Sequence, residues 1–197
     1  MMIERYQASM FNQKASRPRN RPDRVLEVLK LQLGQRIANI GAGGGYFSLR
    51  LARAVEEGGH VYAVATNPEF LKFIEEQARE NGYANVETIL VGEDELELPE
   101  GDLDMVFMRN VCYHLHDRAK YFANLRGMLK TGGRVAIIEY HPVGRFSLHR
   151  PFGHSVRWEV IEEEMRKSGY RLREFHNFLP EQWFTIYSFE HDQSSRG

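Results

Sequence analysis

The chain has 197 residues, 42% of them hydrophobic, and its 26 basic and 27 acidic side chains leave a formal charge of −1. That length supports one full-sized core and excludes two large domains; the charge balance argues against a general attraction to nucleic acid or acidic membranes. The single cysteine, Cys112, excludes internal disulfides and fits a reducing compartment. No apolar run approaches the roughly 20 residues that span a bilayer, and the opening at 1–7 has no signal-type apolar region. A cytoplasmic protein without membrane partners is the expectation.

The first 23 residues carry Tyr6, Phe11 and the basic run Arg17-Pro-Arg-Asn-Arg-Pro22. They read as an arm or lid ahead of a single domain over 24–190, with a flexible tail at 191–197. Leucines and valines at helical spacing predict a helix over 24–33, stopped by Gly34. A buried strand over 37–40, a glycine-rich turn and a helix over 46–55 follow. A second strand covers 60–65. Pro68 then suits the first turn of a helix that runs to Asn81 and closes at Gly82. Strands are expected over 85–91 and 103–108. Asp117 can cap a helix through Leu129 that stops at Thr131-Gly132-Gly133, before a strongly buried strand over 134–139. An irregular stretch leads to a helix over 156–168 and a terminal strand pair, 170–178 and 183–189, joined around Pro180.

Strands alternating with helices imply an α/β fold. The expected form is a doubly wound, mostly parallel seven-stranded sheet with helices on both faces and an antiparallel C-terminal edge strand. Ligands of such sheets bind at the carboxyl ends of the strands, where strand order reverses. The turn at Gly41-Ala-Gly-Gly-Gly45 falls there. Alternate glycines allow backbone angles that other residues resist and let a ligand lie against the main chain, and the following helix aims its N–H groups and positive dipole end at that ligand. This is a cradle for a nucleotide-like cofactor. Against the dinucleotide fingerprint, the third glycine is misplaced: Tyr46 stands where it would be.

The ordered landmarks Asn-Ile-Gly-Ala-Gly-Gly-Gly-Tyr-Phe-Ser at 39–48, Gly-His-Val-Tyr-Ala-Val at 59–64, Asn-Val-Glu-Thr at 85–88, Leu-Pro-Glu-Gly-Asp-Leu-Asp at 98–104, Asn-Val-Cys-Tyr-His-Leu at 110–115 and Leu-Lys-Thr-Gly-Gly-Arg-Val at 129–135 resemble a class I S-adenosylmethionine-dependent methyltransferase. The resemblance runs from about residue 24 to residue 189. It implies S-adenosyl-L-methionine as cofactor and a methyltransferase acting on a small-molecule acceptor. The alternative is a degenerate relative that binds S-adenosyl ligands, another nucleoside or a partner protein with little catalysis. Two positions depart from the pattern. Asn39 and Ala65 stand where the family carries acids, and Ala65 can accept no hydrogen bond from a ribose through its side chain. A hydrogen bond to a charged group contributes about 1.5–3 kcal/mol, so its loss predicts roughly ten- to hundred-fold weaker cofactor binding unless Thr66 or Asn67 substitutes.

By the same resemblance, Gly41, Ala42, Gly43, Gly45 and Tyr46 cradle the cofactor. Glu93 or Asp94 would meet its adenine amino group, and Arg109 and Asn110 its methionine moiety. Methyl transfer is mostly a matter of positioning; a base matters only where the acceptor must lose a proton. Tyr113, His114 and His141 are the catalytic candidates, with His116 near them. His141, His149 and His154 have no zinc-type spacing and no accompanying cysteine or acid, so no metal is expected. Cys112 reads as a packed thiol. The arm and the 141–154 segment are expected over the cofactor mouth, where Arg145 and Arg150 could meet an anionic acceptor. The short basic arm in a chain that is not basic argues against nucleic acid. Oligomeric state is not readable.

Overall fold

The computed structural model describes residues 2–142 and 155–189. The readings at Arg145, His149, Arg150 and His154, and the tail at 191–197, lie outside the described residues. Helix α1 covers Met2–Ser16 and α2 Pro22–Leu29; β1 is Arg36–Ile40, α3 Tyr46–Val55, β2 His60–Ala65, α4 Pro68–Glu80 and β3 Val86–Leu90. Then come β4 (Leu103–Arg109), α5 (Arg118–Met128), β5 (Leu129–Tyr140), α6 (Trp158–Lys167), β6 (Arg171–His176) and β7 (Gln182–Ser188).

Seven strands form one sheet in the order β3-β2-β1-β4-β5-β7-β6. The first five in that order pair in parallel, whereas β7 runs antiparallel to both β5 and β6. The antiparallel strand therefore sits one place in from the edge, and β6 forms the edge itself. The residues explain this placement. All seven positions of β7 are buried, which requires a neighbour on each side, while β6 alternates exposed and half-buried positions as an edge strand does.

Helices cover both faces. Phe47 and Leu51 of α3 pack with Val25 and Leu29 of α2 over Ile37, Phe107 and Phe184. Phe122 and Leu125 of α5 join Ile161 and Met165 of α6 over Val106, Ile137 and Trp183. Strand order reverses between β1 and β4, so the loop after β1 opens into the crevice at the carboxyl ends of the strands.

Three local differences from the sequence reading have physical causes. Helix α2 stops at Leu29 because Lys30 turns left-handed, φ 49°, and its N–H bonds the Glu27 carbonyl. Strand β5 begins at Leu129, which pairs with Leu103; the register then jumps to Met105 with Arg134, so residues 130–133 form a bulge within the strand rather than a helix stop. Asp117 does cap α5, its carboxylate accepting the Lys120 N–H at 3.1 Å. The third difference is the arm, which folds as α1 and lies against the glycine loop. Its amphipathic pattern is weak: Ala8 is its one buried residue, and Met2, Ile3, Tyr6, Met10 and Phe11 are exposed.

Candidate functional site

Gly41, Gly43 and Gly45 adopt φ values of 70°, 56° and 85°. At Gly41 the need for glycine is double: the angle is left-handed, and an added Cβ would run into Cγ2 of Val111. The turn is closed by Ala42 N–H donating to Val64 O (3.0 Å) and Gly45 N–H donating to Ala42 O (2.9 Å). Gly44 is needed for another reason. A Cβ there would collide with the Ala8 carbonyl and with Oδ1 of Asn12.

Asn12 was invisible in the sequence reading, yet it holds the loop from above. Its Nδ2 donates to Gly44 O at 2.7 Å, and its Oδ1 accepts the Tyr46 N–H at 3.0 Å. One amide thereby occupies a loop carbonyl and the first N–H of α3, a helix end otherwise open to a ligand. Phe11 adds an edge-to-face contact with Phe70 of α4, with centroids 5.6 Å apart, and Arg5 pairs with Glu76 at 2.6 Å.

Below α1 lies a cavity of about 760 Å³, within the size range of small-molecule sites. Its wall runs from the β2–β3 end (Ala65, Thr66, Asn67, Glu93, Asp94), past Asn39 and the glycine loop, to the β4–β5 end (Arg109, Asn110, Tyr113, His114, Tyr140). Most of the residues expected from the sequence are therefore brought together. Gly45 and His141 are not on this wall; the Gly45 N–H closes the turn behind it, and the His141 N–H donates to Glu181 O at 3.0 Å.

Several wall residues are partly committed. Asn39 is buried, and its Nδ2 donates to Ser48 Oγ at 2.8 Å, tying the end of β1 to α3. The Asn67 Oδ1 caps α4 by accepting the Glu69 N–H at 2.9 Å, which leaves the Thr66 hydroxyl, without a hydrogen bond among the described residues, as the acceptor beside Ala65. Asp94 accepts the His116 N–H with both oxygens and meets His116 Nδ1 at 3.1 Å. Glu95 accepts the Gly92 N–H at 3.0 Å. Glu93 lies at the rim, and its carboxylate has no hydrogen bond among the described residues.

At the other end, Arg109 Nη2 donates to Gln182 Oε1 at 2.8 Å, and Gln182 Nε2 donates to Asn110 Oδ1 at 2.6 Å. Asn110 is left-handed, φ 58°. The Arg109 guanidinium lies over the Phe47 ring, 5.2 Å from its centroid, and burial lowers its pKa. Tyr113 and His114 stack with ring centroids 4.0 Å apart. Burial raises the Tyr113 phenol, so it stays protonated near neutrality and suits a donor better than a base.

Glu139 also escaped the sequence reading. Fully buried near the end of β5, it accepts the N–H groups of Val111 and Cys112 through Oε1, both at 2.6 Å. Burial pushes its pKa up to about 7, against the opposing pull of those two hydrogen bonds. Glu139 thus fixes the segment that delivers Val111, Tyr113 and His114 to the cavity. The only signal in the sequence was an acid inside an otherwise apolar run, Arg134-Val-Ala-Ile-Ile-Glu139. Cys112 is buried, and its thiol is raised well above its ordinary value, first by that burial; it is a packing group, not a nucleophile.

A family model described as "Methyltransferase domain" matches residues 38–137, just over half of the chain. The chain belongs to the class I S-adenosylmethionine-dependent methyltransferase family. Among curated proteins it is similar to protein-L-isoaspartate O-methyltransferase of Aeropyrum pernix, 39% identical over 77 residues, covering 39% of this chain and 30% of that protein. It also resembles the ubiquinone/menaquinone biosynthesis C-methyltransferase UbiE of Vibrio parahaemolyticus, 29% identical over 108 residues, covering 54% of this chain and 42% of that protein. The chain thus spans less than half the length of these relatives. A solved structure of a SAM-dependent methyltransferase from Aquifex aeolicus superposes with a TM-score of 0.77 at 23% identity, covering 84% of this chain and 88% of that one; this likeness establishes the fold. No helix among the described residues is long and apolar enough to cross a membrane.

Proposed function

We propose that the protein transfers a methyl group from S-adenosylmethionine to a small-molecule acceptor. The observation that carries this reading is the glycine loop: left-handed at Gly41, Gly43 and Gly45, and set at the strand-order reversal over a cavity large enough for a nucleoside cofactor. The residues present fit the group. Gly41, Ala42 and Gly43 would hold it from below with Asn39 and Tyr46 beside them and Gly45 shaping the turn, the Thr66 hydroxyl would face its ribose with Asn67 alongside, and Glu93 would reach its adenine amino group, with Asp94 bracing the same rim. When bound, the cofactor supplies a methyl group on a cationic sulfur that is readily displaced. The chain's own work is to orient the acceptor, exclude water beneath α1 and receive a proton where the acceptor loses one. His114, stacked on Tyr113 at the mouth, is the candidate base. His141 lies off the cavity wall, and its candidacy lacks that support.

The experiment is a thermal-shift panel with S-adenosylhomocysteine, S-adenosylmethionine and NAD at about 1 mM. A ligand that binds the folded state alone raises stability by RT ln(1 + [L]/Kd). The two S-adenosyl ligands should raise Tm by several degrees, and NAD should not. Stabilisation by NAD alone would defeat the reading.

The missing acid gives a second expected outcome. Ala65→Asp places a carboxylate beside the expected ribose and should tighten S-adenosylhomocysteine binding about tenfold, measured by calorimetry. Unchanged or weaker affinity would mean that the ribose lies elsewhere.

A further inference from the structure

The titratable groups on the cavity wall are sorted by sign. Its carboxylates, Glu93, Asp94 and Glu95, all lie on the segment after β3, and its permanent cations, Lys14 and Arg109, lie on α1 and at the end of β4. Neither cation forms an ion pair among the described residues. The Lys14 Nζ sits over the Tyr140 ring, 5.4 Å from the centroid. Arg109 is held from one side by Gln182 and from another by Phe47, and its buried Nε and Nη1 have no hydrogen-bond partner among the described residues. A half-buried guanidinium with two buried, unpaired nitrogens is costly unless something anionic completes it. Its planar fork suits a carboxylate or similar oxyanion.

We infer that Arg109 and Lys14 form the anion-binding end of the acceptor site, selecting a small aromatic acceptor that carries an anionic oxygen group. This inference rests on the methyltransferase reading and adds a substrate class to it. The cofactor's single carboxylate stands beside its own ammonium group and near its cationic sulfur, so it cannot neutralise two further cations. An acceptor that carries its own anionic oxygen group would supply the second negative charge at this end. Tyr113 and Tyr140 line the same end, giving flat walls against which an aromatic ring can stack. Arg109 here is a binding residue; no proton or bond changes hands at its guanidinium.

The test uses the full chain and calorimetry in two stages. S-adenosylhomocysteine is titrated first, and 5′-methylthioadenosine, which lacks the amino-acid moiety, is titrated separately. Protein saturated with S-adenosylhomocysteine is then titrated with 4-hydroxybenzoate and with its uncharged methyl ester. Wild-type protein should prefer the acid by about tenfold or more. That preference should vanish in Arg109→Gln, shrink in Arg109→Lys, and fall about threefold in Lys14→Gln. Affinity for S-adenosylhomocysteine should stay within about threefold of wild type in all three, which parts this inference from the expectation that Arg109 meets the cofactor's methionine moiety. Circular dichroism checks folding; should Arg109→Gln not fold, the exposed Lys14→Gln variant decides. Equal binding of acid and ester by wild type, with S-adenosylhomocysteine bound normally, overturns this inference and spares the methyltransferase reading. A variant of Arg109 that weakens S-adenosylhomocysteine but not 5′-methylthioadenosine also overturns it, because the guanidinium would then hold the cofactor's carboxylate. No binding of S-adenosylhomocysteine by wild type overturns both.

Discussion

Gly44→Ala should detach α1 from the glycine loop while leaving the sheet intact. The new Cβ would meet the Ala8 carbonyl, a backbone atom in a helix, and the Oδ1 of Asn12. Neither is the free end of a flexible chain, so the helix must lift. Gly44, unlike its neighbours Gly43 and Gly45, does not have a positive φ, so alanine there tests the close approach alone and not backbone strain. Lifting α1 forfeits the two Asn12 hydrogen bonds, each contributing about 1 kcal/mol, and the Phe11–Phe70 contact, about 0.5–1.5 kcal/mol. Global stability should fall by only about 2–4 kcal/mol, since Ala8 is the sole buried residue of α1. The local effect should be larger: amide exchange over 2–16 should approach the unprotected rate, and S-adenosylhomocysteine affinity should drop tenfold or more. Asn12→Ala should reproduce the exchange result in milder form. Unchanged protection of α1 in Gly44→Ala would refute the packing described here.

The second large effect is expected at Glu139. Glu139→Leu leaves the Val111 and Cys112 N–H groups buried without their acceptor, at about 1–3 kcal/mol each. Relief of the mostly protonated carboxyl group's own desolvation offsets part of this, so a net loss of about 2–4 kcal/mol is expected near pH 6, from denaturant unfolding. Even that is a large share of a domain's total, about 5–15 kcal/mol. The pH dependence has a definite sign. Glu139 titrates at about 7 in the folded chain against 4.5 ordinarily, so the folded state holds this proton more tightly than the unfolded state. Its contribution is fully present below about pH 4.5 and is lost as pH rises through 7, amounting to about 3 kcal/mol. Glu139→Gln keeps an acceptor oxygen and cannot ionise, so it should flatten this part of the stability–pH curve between pH 5 and 8. A curve as steep as wild type would show that Glu139 is not the titrating group.

How far the sequence carried can be read from particular residues. The strands and the glycine turn were legible because they follow simple rules: β-branched runs between glycine and proline breaks, and a left-handed turn that only glycine makes cheaply. Asp117 was legible as a cap because capping is local. Helix α1 was not, since it is held by scattered contacts, Ala8, Asn12, Phe11 and Arg5, rather than by an apolar face, and the Asn12 hydrogen bonds join residues more than thirty positions apart. Glu139 and Gln182 were missed for a related reason. Each is a polar residue inside a buried strand, and what it serves, the segment after β4 or the Arg109 guanidinium, lies far away in the chain. The bulge over 130–133 mimicked a helix stop because glycine pairs serve both purposes. The asymmetry of charge along the cavity needed the fold to place Lys14 and Arg109 at one end and the acids at the other.

The central claim is that the glycine loop binds an S-adenosyl cofactor despite Asn39 and Ala65. Calorimetric titration of the full chain with S-adenosylhomocysteine and S-adenosylmethionine tests it most directly. Saturable one-to-one binding is expected, with a dissociation constant weakened roughly ten- to hundred-fold by the missing ribose acid and thus in the micromolar to sub-millimolar range. No detectable binding heat from either ligand at sub-millimolar concentration, at two temperatures to exclude a vanishing enthalpy, would contradict it.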